Sequence, residues 1–266
     1  MTNNKNMSFK EKYGSYALIT GASSGIGKEF AKQLGEKGLN LVLIARRKDK
    51  LEEIAREIEE KNKVKVLAIS IDLLSENILE EIDKVTKDIE IGLLVNNAGV
   101  MHLGNYTDFS LENYLKMIDL NIKIPTILTH HFVKKMIIRK KGGIINLAGM
   151  VGFMGTPYTS IYAGTKAYEL VASEGLAYEL KPKGIDVLIL NPGLTETEMT
   201  ANNDFSGLPM KLMKAVDVVK PAINALGKKT LITPGFMNKI MKGMSKRIMS
   251  RKMNTIMFGW FLKKTF

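Results

Sequence analysis

The sequence predicts an α/β fold built on one doubly wound parallel sheet with helices on both faces, and three observations carry that reading. Six short apolar runs, Tyr16–Ile19, Leu41–Ile44, Val66–Ile69, Gly92–Val95, Ile144–Leu147 and Val187–Leu190, have the length and character of buried strands. Segments of helix length lie between them, with apolar residues at helical spacing. A glycine-rich turn joins the first run to the first such segment. Strand–helix alternation repeated this often is what a parallel sheet with crossover helices requires.

Taken in order, the first strand gives way to Thr20-Gly21-Ala22-Ser23-Ser24-Gly25-Ile26-Gly27 and then to a helix carrying Lys28, Phe30, Ala31 and Leu34. Lys48–Lys61 places Leu51, Ile54 and Ile58 on one helical face with charges between them, and Glu76–Lys87 and Leu111–Lys135 follow the same pattern. Tyr158 to Leu180 reads as a long helix. No Ser/Gly-rich linker divides the chain, but acidic residues stop after Gly227. The expected organisation is a domain over residues 1–227 and a C-terminal amphipathic helical extension over residues 228–266.

Composition bounds the function. The chain has 266 residues, 45% of them hydrophobic and 25% charged, with 7 prolines, which fits one large folded domain and argues against a disordered or collagen-like protein. It has no cysteine. That excludes disulfides, thiolate metal sites and cysteine nucleophiles and suits a reducing cytoplasm. The start, MTNNKNMSFKEKYGS, lacks the apolar stretch of a signal peptide. The longest uncharged run, Gly142 to Thr165, is too rich in Gly, Thr, Ser and Asn to read as a spanning helix. The net charge of +12 calls for a location.

The glycine turn is expected to be a phosphate cradle, with an ordinary glycine turn as the alternative. Glycine at a strand-to-helix turn allows positive φ and close backbone approach to a pyrophosphate, and the helix N-terminus faces the anion. The spacing here is Gly-x-x-x-Gly-x-Gly rather than Gly-x-Gly-x-x-Gly, so the fingerprint is met in mechanism rather than in letter. At the end of the second strand, where an acid would hold a ribose 2′-hydroxyl, stand Ala45, Arg46 and Arg47. An arginine there suits a 2′-phosphate, so NADP(H) is expected over NAD(H), and Arg46 is the expected ligand. Two merely solvated arginines are the alternative.

Tyr162 and Lys166 lie four apart on one face of the long helix. A phenol ionises near pH 10, and an adjacent ammonium favours the phenolate, so the pair can prepare a tyrosine for proton transfer. Tyr-x-x-x-Lys alone is weak evidence; its partnership with the phosphate loop gives it weight.

With these motifs in hand, the chain resembles the short-chain dehydrogenase/reductase superfamily over roughly residues 14 to 227. The likeness rests on many separated points. Thr20, Gly21, Gly25 and Gly27, with Ser23, Ser24 and Ile26 between, match the family's cofactor loop. Asp72, followed by Leu73, matches the acid near the adenine, and Asn96-Asn97-Ala98-Gly99 the signature after the fourth strand. Asn121 falls at the family's catalytic asparagine, said to hold a water of the proton relay. Asn191-Pro192-Gly193, with Thr195 and Thr197, matches the loop around the nicotinamide. The resemblance implies a Rossmann-type fold, hydride transfer between nicotinamide and a carbonyl or alcohol carbon, Tyr162 as general acid/base, and Lys166 lowering its pKa and holding the nicotinamide ribose. Hydroxysteroid dehydrogenase-like and 3-oxoacyl reductase-like members are the most similar. Dimers and tetramers are common in the superfamily, so a homo-oligomer is expected.

One departure stands out. The family's substrate-binding serine lies 13 residues before the tyrosine, where this chain has Gly149. Loss of one such donor typically costs about 10²–10³ in rate. Thr159 or Ser160 is expected to substitute as substrate-binding hydroxyl; otherwise Tyr162 acts as sole donor, or the chain binds cofactor as a sensor or scaffold with little catalysis. The lid segment, Glu198 to Lys214, carries Phe205, Leu208, Met210, Leu212 and Met213 and hints at an apolar pocket.

Other constellations carry less. His130 and His131 are adjacent on a presumed helix and point to different faces, and no metal site is expected. Carboxylate pairs such as Glu52-Glu53 read as solvated faces, and no Gly-x-Ser-x-Gly elbow follows a strand.

The tail holds the excess charge. From Lys228 to Phe266 there are ten basic residues and no acid, which leaves residues 1–227 at +2. Met237, Met241, Met244 and Ile248 form one helical stripe, and Met249, Met253, Ile256 and Trp260 a second. Such stripes suit either packing on the domain or a second subunit, or an anionic membrane surface. Peripheral attachment at a membrane's inner face is thus the alternative to a freely cytoplasmic protein. Nucleic acid is not expected, since no base-reading module accompanies the charge.

Overall fold

The computed structural model describes residues 7–201, 203, 205 and 211–263. Seven strands form one parallel sheet: β1 (Tyr16–Thr20), β2 (Asn40–Ala45), β3 (Val66–Ser70), β4 (Ile91–Asn96), β5 (Gly142–Leu147), β6 (Ile185–Leu190) and β7 (Leu231–Ile232), in the order β3-β2-β1-β4-β5-β6-β7. Ten α-helices accompany them: α1 (Phe9–Tyr13), α2 (Gly25–Glu36), α3 (Lys48–Asn62), α4 (Ile78–Thr86), α5 (Leu111–Ile118), α6 (Ile124–Arg139), α7 (Ser160–Leu180), α8 (Ala215–Ala225), α9 (Phe236–Arg247) and α10 (Arg251–Leu262). This is the expected Rossmann-type architecture.

Strand periodicity splits the core into two layers. Ala17 and Ile19 of β1, with Leu41 and Leu43 of β2, join Phe30, Leu34 and Ile54 of α2 and α3 on one face. Their neighbours Leu18, Val42 and Ile44 join Ile82, Leu128 and Phe132 of α4 and α6 on the other. Every residue of β4 is buried, as a strand covered on both faces must be. The sheet reverses direction of winding between β1 and β4, and a doubly wound sheet binds ligands beyond the carboxyl ends of its strands at that switch point.

Three features differ in detail from the sequence reading. The long helix expected over Leu111–Lys135 is α5 and α6 joined by a π-helical turn, Asp119–Lys123. β7 comes from beyond Gly227, so the sheet takes its last strand from the segment set apart by charge. Two apolar residues were too short a run to announce it. The two tail stripes form two helices rather than one, broken where the Ser250 hydroxyl caps α10 by accepting from the Met253 amide at 3.2 Å. Among the described residues no helix is long and apolar enough to cross a membrane.

Candidate active site

A cleft of about 760 Å³ lies at the carboxyl ends of β1, β4, β5 and β6. Its floor begins at the glycine loop. Gly25 has φ +53°, and a side chain there would run into Thr197. Gly27 opens α2, and a Cβ on it would collide with the Gly21 carbonyl and the Asn97 carboxamide. The loop therefore closes on the start of β4's following segment only because these positions lack side chains. Thr20 secures the junction: its hydroxyl accepts from the amides of Asn97 and Ala98, each at 3.0 Å, while Asn97 Nδ2 donates to the Thr20 carbonyl at 2.9 Å. Backbone is thus brought close to a helix N-terminus, the arrangement a pyrophosphate needs.

Of the expected cofactor residues, Gly21, Ser23, Ser24, Gly25, Ile26 and Arg46 line the cleft at one end. Asp72, Leu73, Asn97, Ala98 and Gly99 line it further along, as do Pro192, Gly193, Thr195 and Thr197. Gly27 lies beneath, packed on Gly21. Arg47, which was paired with Arg46 in the sequence but not singled out, also faces the cleft and is better anchored. Its guanidinium donates to Ser23 Oγ at 2.9 and 3.3 Å and to Ser24 Oγ at 3.1 Å, and pairs with Glu198 at 2.7 Å. Lys50 pairs with the same carboxylate at 2.9 Å. Hydrogen bonds from Arg47 and Lys50 hold Glu198 down to about 2. A carboxylate thus sits among two cations and a hydroxyl at the ribose end, a donor set that suits an anion as large as a phosphate.

Tyr162 and Lys166 project from the first turns of α7 into the cleft. The Lys166 ammonium donates to the Leu147 carbonyl at 2.7 Å and lies 5.7 Å from the Tyr162 ring centroid. Burial pushes the Tyr162 phenol up to about 12, and burial lowers Lys166. The expected lowering of the phenol by its neighbour is not what this geometry gives, because the ammonium is turned toward the end of β5. The phenol is held protonated, ready to donate.

Asn121 does not face the cleft. It is buried in the π-helical turn, where its Oδ1 accepts from the Val100 amide at 2.9 Å and its Nδ2 donates to the Val100 carbonyl at 2.9 Å and to Thr165 Oγ1 at 3.1 Å. A Cβ on Gly99 would lie 3.0 Å from Asn121 Oδ1 and 3.9 Å from Lys166 Nζ, so Asn121 stands directly behind two residues of the cleft lining. π-turns commonly mark such functional positions.

Gly149 lines the cleft with φ 176°, extended backbone open to any residue. The nearest atom to an added Cβ is Lys166 Cγ at 3.6 Å, so a serine would fit. Neither expected substitute lines the cleft. Thr159 and Ser160 border a separate cavity of about 30 Å³, with Thr159 buried at the start of α7 and Ser160 exposed. Nearer to Gly149 in the chain, Thr156 does line the main cleft, buried and donating to the Met154 carbonyl at 3.4 Å. Nothing in its spacing announces it; only the fold of the segment after β5 brings it in.

The tail supplies the apolar wall. Met241 of α9 and Phe258, Phe261 and Leu262 of α10 line the cleft. Asn238 packs against Gly193 of the nicotinamide loop, where a Cβ would clash with its carboxamide. Of the lid residues, Phe205 is buried, Leu212 and Met213 are partly buried, and Leu208 and Met210 lie outside the described residues. A further buried acid, Glu169, stands one helical turn beyond Lys166; burial raises it to about 7 against the opposing pull of that ammonium.

A switch-point cleft with glycine-cradled phosphate end and a Tyr–Lys pair at its middle defines a nicotinamide-dependent oxidoreductase. The family follows from comparison: the short chain dehydrogenase model matches residues 15–205, and the chain belongs to that family. It is 32% identical over 236 residues to a 7beta-hydroxysteroid dehydrogenase of Clostridium sardiniense, covering 88% of this chain and 90% of that protein. It is 35% identical over 195 residues to the very-long-chain 3-oxoacyl-CoA reductase-A of Danio rerio, covering 71% of this chain but only 60% of that longer relative. A structure solved in work on 7beta-hydroxysteroid dehydrogenase stereoselectivity superposes with TM-score 0.87 at 26% identity, over 95% of this chain and 99% of that one. A short-chain dehydrogenase from Sphingobium yanoikuyae in complex with NADPH gives 0.78 at 31% identity, over 89% and 96%. The chain is an enzyme of the hydroxyl/keto class.

Proposed function

We propose that this enzyme is NADP(H)-preferring and interconverts a carbonyl and an alcohol on a lipophilic small molecule, with Tyr162 as general acid/base. The observation that carries the reading is a single cleft with Arg46 and Arg47 at its phosphate end, Tyr162 and Lys166 in its middle and an aromatic wall from α10 at the other end. When bound, the nicotinamide supplies or takes the hydride. Arg47 and Lys50 would hold a 2′-phosphate through the donors that pair with Glu198. Tyr162, a phenol that burial pushes up to about 12, gives its proton to the developing alkoxide in reduction. Lys166, tied to the end of β5, is placed for the ribose hydroxyls, and Asn121 fixes the loop at Val100 that borders the reacting region. Thr156 is the hydroxyl available to the substrate oxygen, in place of Thr159 or Ser160. NAD(H) is the weaker cofactor on this reading. Homodimers or homotetramers form through the exposed apolar face of α5 and α7, at Leu111, Leu115, Val171 and Tyr178.

A second reading is favoured by Gly149 alone: the chain binds cofactor as a sensor or scaffold and turns over slowly. One experiment separates them. Consumption of NADPH and NADH is followed over a panel of bulky apolar ketones for wild type and Gly149→Ser. The enzymatic reading expects turnover with NADPH exceeding that with NADH at least tenfold in kcat/KM. Tight NADPH binding with no wild-type turnover, restored about a hundredfold or more by the serine, supports the second reading instead.

A further inference from the structure

The two tail helices bury polar residues and leave a large apolar share exposed. Their fully buried positions include two asparagines: Asn238 Nδ2 donates to the Pro234 carbonyl at 2.9 Å, and Asn254 Nδ2 donates to the Ser245 carbonyl at 3.0 Å. Many of their large apolar residues face out. Phe236 is 78% exposed, Ile248 75%, Ile256 63% and Trp260 58%, with Met237, Ile240, Met244 and Met253 exposed beside them. On α9 the outward residues 236, 237, 240 and 244 share one helical face, and on α10 residues 253, 256 and 260 share another. Exposed apolar residues clustered on two successive helices in this way mark an interaction site.

The charge around it chooses the partner. Segment 228–266 has ten cations and no anion, and Lys239, Lys246, Arg247, Arg251, Lys252 and Lys263 are exposed on the same hairpin. A second copy docked here about a two-fold axis would set these cations against their own images, since an isologous interface brings each patch onto itself. The α5–α7 face offers a second copy a better seat, because its exposed apolar residues are interleaved with Glu112, Lys116, Glu174 and Glu179 of both signs. Apolar side chains with an aromatic at the margin and Lys/Arg around them, without acids, match a bilayer surface carrying anionic headgroups.

We infer that the α9–α10 hairpin is a docking surface for anionic membrane, on which the enzyme lies with Phe236, Ile248, Ile256 and Trp260 inserted among the lipids. Met241, Phe258, Phe261 and Leu262, on the flanks and backs of the same two helices, wall the cleft. A ligand dissolved in the bilayer therefore meets the cleft across the thickness of one helical layer. The docking stands on the surface itself; its use for substrate supply rests on the reading of the cleft given above.

The test keeps the full chain, because deletion after Gly227 would remove β7 and four cleft residues along with the surface. Wild type and Phe236→Ser/Ile248→Ser/Ile256→Ser are floated with vesicles of phosphatidylcholine alone or of phosphatidylcholine with about one-third phosphatidylglycerol, without substrate. NADPH affinity, thermal melting and oligomeric state are measured in parallel. The expected result is wild-type retention on anionic vesicles only, weakened at least tenfold by about 1 M salt, where the Debye length shrinks to about 3 Å. The triple variant should lose retention at least tenfold while keeping NADPH affinity and melting temperature. Lysine substitution offers a second variant if the triple change impairs folding: Lys239→Gln/Arg247→Gln/Lys252→Gln should lose retention on the anionic vesicles. Wild-type protein that stays unbound at low salt, binds neutral vesicles equally well, or shows a dimer that the triple variant breaks overturns the inference. Since no turnover is measured, failure here leaves the proposed activity untouched, and failure of the ketone panel leaves the docking untouched.

Discussion

The two ends of the cleft are built on different principles. At the phosphate end, from β1 to α3, the fit is made by backbone: Gly27 abuts the Gly21 carbonyl, and Thr20 ties the glycine loop to Asn97 and Ala98. At the far end, from α9 and α10, the wall is made by side chains, Met241, Phe258, Phe261 and Leu262. Backbone contacts admit no variation, whereas an apolar wall can change residue by residue with its packing. The contrast fits the proposed division, in which one end holds the cofactor and the other selects a substrate, with Tyr162 and Lys166 between them.

Substitutions at each end test that division. The largest effect belongs to Gly27→Ala, whose methyl must displace the Gly21 carbonyl; NADPH affinity should fall roughly a hundredfold or more in a fluorescence titration, about 2.7 kcal/mol. Unchanged affinity would show that the loop is not the cradle. Next comes Phe258→Ala, which removes part of the apolar wall. KM for a bulky ketone should rise about tenfold while NADPH affinity and kcat stay within about twofold, the signature of lost uniform binding. If cofactor affinity moved equally, the two ends would not be separable.

The smallest effect is on stability. Glu169 holds its proton to about 7 in the folded chain against an ordinary value of 4.5, because burial outweighs the opposing pull of Lys166. Folded protein therefore binds that proton more tightly than unfolded chain does, so stability falls as pH rises from about 4.5 to about 7. Glu169→Gln should flatten melting temperature across this window and raise it at pH 8. A wild-type melting curve that does not decline there contradicts the buried assignment.

The same contrast explains how much the sequence disclosed. Strands β1 to β6 and the phosphate end were legible because their constraints are local: an apolar run, a glycine where a Cβ cannot go, an arginine at a strand end. Tyr162 and Lys166 were legible because one helix carries both. The substrate end was not. Thr156, rather than Thr159 or Ser160, reaches the cleft because the short helical turn after β5 sets its direction, which no spacing encodes. The tail stripes named which residues are apolar, but Met241 turns inward while Met237, Met244 and Ile248 turn outward, and only the docking of α9 on Gly193 decides that. Glu198 escaped notice since its partners, Arg47 and Lys50, are about 150 residues away in sequence.

The central claim is that Tyr162, held protonated in a dinucleotide cleft, carries the proton transfer of a carbonyl–alcohol interconversion. It is tested most directly by ketone-dependent NADPH consumption in wild type and Tyr162→Phe, with NADPH affinity measured on both. The account predicts turnover in the wild type that falls to background in the variant while affinity stays within about twofold. Equal turnover in both proteins would contradict it.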